Sequence, residues 1–256
     1  MKKTKILLST MAMLLIGSTL NADFLKVETG IGDWIQESEG KTTYNKGSLS
    51  GEDNIIKNTE DKFYFWVHIK HPIPVVPNLR VEYASTEYKG KVSGSLEDFS
   101  VPSGETSNSK LYMKQYDIIP YYNLLDSFNT TIDAGLDLKI IESDYTAEEI
   151  VVGGTTVFSG YKDKSTTLVP LGYVRGRFDI PTTGIGIEGD IKYITYAGNS
   201  ISDIRIKMDY TLDLTGILDP GIEVGYRYQN FNLDDGDGLK SDITFSGIYV
   251  GATFKY

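Results

Sequence analysis

The stretch Ile243 to Tyr256 reads ITFSGIYVGATFKY and ends the chain. Counted back from the last residue, Tyr256, Phe254, Ala252, Val250 and Ile248 share one parity, and Lys255, Thr253, Gly251 and Tyr249 share the other. A period of two belongs to a strand with two unlike faces, because successive side chains of extended chain point to opposite sides. An apolar column that closes on an aromatic ring predicts a strand whose outer face meets lipid. A soluble β-protein burying the same column between sheets is the competing expectation.

The other end of the chain separates the two. Lys2, Lys3 and Lys5 precede an uncharged run from Ile6 to Leu20, and Leu20-Asn21-Ala22 places a small residue before a cut. This is the three-part layout of a secretory signal peptide. The run of about 15 residues is short of the roughly 20 that a spanning helix needs. Residues 1–22 are therefore expected to be a signal peptide, and residues 23–256 one β-barrel domain. The chain holds no cysteine, which excludes a disulfide framework, a lipidated cysteine and thiol chemistry. All 35 acidic residues and all but three of the 25 Lys and Arg lie beyond the leader, a formal charge of −13. That charge argues against nucleic acid and other polyanions as partners. Eighteen Tyr, ten Phe and 26 Gly suit many strands and turns.

Alternation recurs along the chain. Leu25, Val27, Thr29 and Ile31 oppose Lys26, Glu28, Gly30 and Gly32; Phe63, Phe65, Val67 and Ile69 oppose Tyr64, Trp66, His68 and Lys70. Prolines 72, 74 and 77 then mark a short rigid turn, since proline donates no ladder hydrogen bond. Further strands are expected from Leu79, from Leu111 to Tyr122, over Thr131 to Ile140, from Thr166 to Asp179, from Ile185 to Tyr193, over Ile204 to Leu212 and from Ile222 to Tyr228. Ala197 to Ser202 and Gly216 to Gly221 read as short connections. Four polar, aperiodic stretches read as long loops: Gln36–Asp61, Gly90–Ser109, Asp144–Ser165 and Asn230–Asp242.

About ten strands with alternating short and long connections predict an all-β fold, an antiparallel up-and-down transmembrane β-barrel with short periplasmic turns and long extracellular loops. Hydrocarbon offers no partner for backbone groups, so the first strand must pair with the last. The leader, the Gly30-Ile31-Gly32-Asp33-Trp34 stretch and the closing strand resemble those of small Gram-negative outer-membrane β-barrel proteins. The resemblance implies location in the cell outer membrane. It also implies that Phe254 and Tyr256 act as the insertion signal read by periplasmic chaperones and the barrel-insertion machinery. The expected surroundings are outer-membrane lipids and lipopolysaccharide, and the expected state is a monomer.

The polar face carries both signs at mid-strand positions. Arg80, Glu82, Asp133, Asp137, Lys139, Arg175, Arg177, Glu188, Asp190, Lys207 and Arg227 are expected to form a lumen charge network, because unpaired charge in a low-dielectric interior is costly. A bore near the filled end of the size range would be largely plugged by them. No cofactor or metal is expected. His68 and His71 are the two histidines; three residues apart on extended chain, they face opposite ways, and His68 is expected to be buried and hydrogen-bonded. Asp234-Asp235-Gly236-Asp237-Gly238 lacks the ligand spacing and closing Glu of a calcium loop and reads as a solvated acidic turn. Outer-membrane proteases with ten-strand barrels use His and Asp at the outer lip, and here both histidines are expected at the opposite end. The chain is thus expected to be a non-enzymatic structural or surface-interaction protein, with a narrow solute or ion channel as the alternative and an outer-membrane hydrolase behind it.

Overall fold

The computed structural model describes residues 25–73, 75–212 and 218–256. The leader, its cleavage point and the start of the connection at Gly216 lie outside the described residues. Fourteen strands follow in order: β1 (Lys26–Lys46), β2 (Leu49–Ile56), β3 (Thr59–Lys70), β4 (Asn78–Leu96), β5 (Phe99–Ser100), β6 (Ser107–Asp126), β7 (Thr130–Ala147), β8 (Ile150–Val152), β9 (Thr155–Phe158), β10 (Tyr161–Ile180), β11 (Ile185–Tyr196), β12 (Asn199–Thr211), β13 (Asp219–Asp234) and β14 (Leu239–Lys255). Neighbours pair antiparallel in the order β14, β13, β12, β11, β10, β7, β6, β4, then β2 and β3, then β1, and β14 pairs with β1. The sheet thus closes as a ten-stave barrel. In it, β2 continues the stave of β3, and both lie between β1 and β4. Closure is sealed where Val27 and Tyr256 exchange both backbone hydrogen bonds, at 3.0 and 2.9 Å.

The staves show their apolar side to the outside. On β12, Ile204, Ile206, Met208 and Tyr210 are exposed, while Arg205, Lys207 and Asp209 between them are buried. The same inversion holds on β13, with Ile222, Val224 and Tyr226 out and Glu223 and Arg227 in. A soluble sandwich does the reverse, burying its apolar face and wetting its charges. An apolar exterior around a polar interior is the arrangement of a transmembrane β-barrel.

Three features depart from the sequence expectation. The stretches expected as long loops are mostly strand: β1 runs through Gln36 to Lys46 and β2 returns from Leu49, β4 reaches Leu96, β7 reaches Ala147 and β13 reaches Asp234. Beyond the apolar belt the apolar residues of these hairpins are too sparse to form a continuous column, so their strands carry no period of two. The Ala197–Ser202 connection is tighter than expected. Ala197 (φ 50°) and Gly198 (φ 87°) form the whole turn, both in the left-handed region that a two-residue hairpin of this twist requires. Finally, Asp144–Ser165 contains the small separate hairpin β8–β9.

These extended hairpins build a second small core at the end away from the termini, hereafter the far end. Tyr44, Val92, Leu96, Val101 and Ala147 are buried there with Phe99, Tyr145, Phe158 and Tyr161 packed against them. Phe99 stacks on Tyr161 at 4.5 Å and on Phe158 at 5.8 Å. Beneath this roof Asp53 on β2 is buried and accepts hydrogen bonds from Ser109 (2.6 Å), Tyr145 (2.9 Å) and Tyr88 (3.3 Å), tying four staves together.

Candidate functional site: a layered ionic lumen

The inward positions of the staves carry long charged side chains, and strand parity dictates which. The eleven lumen residues expected from the sequence, Arg80, Glu82, Asp133, Asp137, Lys139, Arg175, Arg177, Glu188, Asp190, Lys207 and Arg227, are all buried inside the barrel. The structure adds Asp117, Lys192, Asp203, Arg205, Asp209 and Glu223. Several of these were legible by parity: Lys192 follows Glu188 and Asp190 on β11, Arg205 and Asp209 alternate with apolar residues on β12, and Glu223 does so on β13. Asp203 was hidden because β12 begins at Asn199, inside the stretch expected as a connection, so an inward position precedes the apolar run. Asp117 was obscured because both faces of β6 mix polar and apolar side chains.

The pairs stack in layers. Nearest the termini, Arg177 meets Asp179 at 2.7 Å and Asp209 at 2.6 Å, and Lys255 meets Asp209 at 3.0 Å. Above them Arg175 bridges Asp133 (2.7 Å) and Glu188 (2.6 Å), and Arg80 reaches Glu188 at 3.2 Å. Lys207 pairs with Glu223 at 2.9 Å, and the other Glu223 oxygen accepts from Tyr64 (2.8 Å) and Trp66 (3.0 Å). Arg80 and Lys207 also lie over the Trp66 ring, at 4.9 and 4.1 Å from its centre. The next layer joins Arg205 to Asp190 and Glu82, Lys192 to Glu82 and Asp117, Lys139 to Asp117, and Arg227 to Asp203. Gln115 and Gln229 exchange amide hydrogen bonds above it at 3.0 and 2.9 Å. Toward the far end the polar layers give way to Met113, Ile141, Ile201, Phe231, Ile243 and Phe245.

Glycine makes room for this filling. At Gly251 a Cβ would strike the Tyr64 hydroxyl and the Ile31 carbonyl, and at Gly30 it would strike the Trp66 indole. The void among Trp34, Tyr64, Arg205, Arg227 and Tyr249 measures about 10 Å³, the space of a single water at most.

One lumen carboxylate stands apart. Asp137 is fully buried and neither of its oxygens has a hydrogen-bond partner among the described residues. Its neighbours across the ladder include Leu171. Every other lumen carboxylate named above meets a cation.

His68 is buried beside the Tyr121 ring at 4.8 Å, but its Nε2 has no hydrogen-bond partner among the described residues, so the expected hydrogen bonding through that atom is not found. His71 sits in the β3–β4 turn, where Nε2 contacts the Pro77 carbonyl at 3.1 Å and Nδ1 accepts from the Ile73 amide at 3.2 Å. Both histidines lie toward the end that carries the termini. At the β13–β14 turn, Asp234 pairs with Lys240 (2.9 Å) and Asp237 with Lys46 (2.5 Å), while Asp235 accepts the amides of Asp237 and Leu239. Those carboxylates are engaged by lysines and backbone. Among the described residues no group of three or more His, Cys, Asp or Glu is placed to hold a metal ion.

No protein-family model and no curated protein matches the chain. Among solved structures it is similar to the outer membrane protease OmpT from Escherichia coli, at 10% identity and a TM-score of 0.53, over 93% of this chain and 98% of that one. It is also similar to the translocator domain of the autotransporter NalP from Neisseria meningitidis, at 10% identity and a TM-score of 0.44, over 99% of this chain and 96% of that one. The likeness to OmpT bears on the fold alone.

Proposed function

We propose that the protein is an outer-membrane β-barrel with a structural and surface-interaction role, whose lumen is plugged by its own ion pairs. The observation that carries this reading is the contact of Glu82 on β4 with Arg205 on β12, at 2.5 Å across the bore. Side chains that meet from facing walls, in layer after layer, support a bore without a continuous water path. Ten staves make a bore wider than the eight that ordinary side chains just fill, and the long Arg, Lys and Glu side chains occupy the added width. The pairs are mutually neutralising, as buried charge must be.

On this reading β14 ends in the periplasm with Phe254 and Tyr256 as the insertion signal, and the far end is extracellular. There the β8–β9 hairpin presents Val151 and Val152 to solvent, with Ile150 and Phe158 packed on the roof core. The surroundings are outer-membrane lipids and lipopolysaccharide, the chain is a monomer, and it has no catalytic role. Folded protein in planar bilayers is expected to give no stable conductance steps. Large, long-lived steps would replace this reading with the channel. Removal of residues 149–159 is expected to leave heat-modifiable gel migration intact, and its loss would contradict the separation of barrel from surface hairpin.

A further inference from the structure

Several staves turn an apolar column outward over the same height, such as Ile248 to Phe254 on β14 and Ile204 to Tyr210 on β12. On β4 the column is short: Leu79, Val81 and Tyr83 are followed by Ser85. Directly below β4, the turn from β3 carries Ile73 at 59% exposure and Val75 at 88%. The adjoining end of β6 carries Leu124 at 69%. The Tyr122 hydroxyl donates to the Val75 carbonyl at 2.8 Å, and Lys70 pairs with Asp126 at 2.5 Å, so the β3–β4 turn and the end of β6 form one ridge. This ridge continues the exposed column of Ile118 and Tyr122 on β6. Part of its backbone is bonded within the protein: the His71 amide donates to Asn78 and the Ile73 amide to His71. The next turn round the barrel, between β10 and β11, is Pro181-Thr182-Thr183-Gly184, with no large apolar side chain.

We infer that the ridge of Ile73, Val75 and Leu124 is immersed in the periplasmic leaflet of the bilayer, so that the barrel sits deeper on its β3–β6 side than on its β10–β11 side. The inference rests on the membrane reading above. Phospholipid is the occupant because the ridge is continuous with the lipid-facing belt and supplies the apolar height that β4 lacks.

The absence of cysteine makes a clean test available. Variants V75C, L124C, T182C and V174C are labelled singly with an environment-sensitive fluorophore and folded into vesicles of phosphatidylethanolamine and phosphatidylglycerol. Heat-modifiable migration confirms folding. The labels at 75 and 124 are expected to emit blue-shifted, to be quenched by spin-labelled acyl chains, and to resist aqueous iodide several-fold better than the label at 182. Iodide quenching at 75 and 124 equal to that at 182 would overturn the inference. Protection from iodide without quenching by lipid would also overturn it, in favour of a second copy. Failure of lipid quenching at 174, in the middle of the belt, would instead sink the membrane reading itself.

Discussion

Glu82 on β4 and Arg205 on β12 lie five staves apart whichever way round the barrel is counted, yet their side chains meet at 2.5 Å. Glu82 also holds Arg80 (2.5 Å) and Lys192 (2.5 Å), so three buried cations share one carboxylate. Glu82→Ala takes a partner from all three. Breaking a buried pair costs about 3–5 kcal/mol, and urea unfolding in lipid vesicles should read a loss of that order. A loss below about 1 kcal/mol, the worth of an exposed pair, would show that water screens the bore.

Asp133 and Asp137 sit four residues apart on β7 in opposite circumstances. Asp133 meets Arg175 at 2.7 Å, whereas Asp137 has no hydrogen-bond partner among the described residues. Asp137→Asn removes a buried carboxylate that no donor holds and is expected to raise the urea midpoint at pH 8. Asp133→Asn leaves Arg175 short of a partner and is expected to lower it. Equal shifts in one direction would contradict the pairing.

At the roof, burial pushes the Asp53 carboxyl up from its ordinary range, and the hydroxyls of Ser109, Tyr145 and Tyr88 oppose that shift. An acid whose folded-state pKa is raised binds its proton more tightly when folded. Its stabilisation is therefore complete below the unfolded value of about 3.9 and is lost as pH rises through the folded one. Hydrogen exchange at β2 amides, corrected for intrinsic rates, should thus show weaker protection as pH rises. Asp53→Asn is expected to flatten that dependence; an unchanged profile would mean that another group sets it.

Gly251→Ala drives a methyl group into the Tyr64 hydroxyl and the Ile31 carbonyl. Overpacking of this kind costs about 1–3 kcal/mol. Adding Tyr64→Phe should recover part of the loss, because only the backbone contact then remains. Urea midpoints of the two single variants and the double variant measure this, and strictly additive losses would mean the ring does not cross over Gly251.

The lower half of each stave was legible because oil outside and ions inside impose opposite demands on alternate residues, as Ile204 to Tyr210 against Arg205 to Asp209 show. The upper halves were not. Around Thr42, Thr43 and Gly90 to Ser95 neither face meets lipid, so nothing in the sequence distinguishes a strand there from a loop. Parity told which residues point inward, but not that Glu82 would reach Arg205. That pairing depends on stagger and strand order, which no local pattern encodes. The roof core was hidden for the same reason: Tyr44, Leu96, Phe99 and Phe158 are spread along the sequence and meet only once the hairpins fold over.

The claim that oil lies outside the cylinder and paired ions within is tested most directly by a cysteine scan along β12 from 203 to 210. Each variant is folded into lipid vesicles and read by quenching from spin-labelled acyl chains and by modification with a charged aqueous reagent. Lipid contact is expected at 204, 206, 208 and 210, and resistance to both probes at 203, 205, 207 and 209. Ready aqueous modification at 205 and 207, with 204 and 206 shielded from lipid, would contradict it.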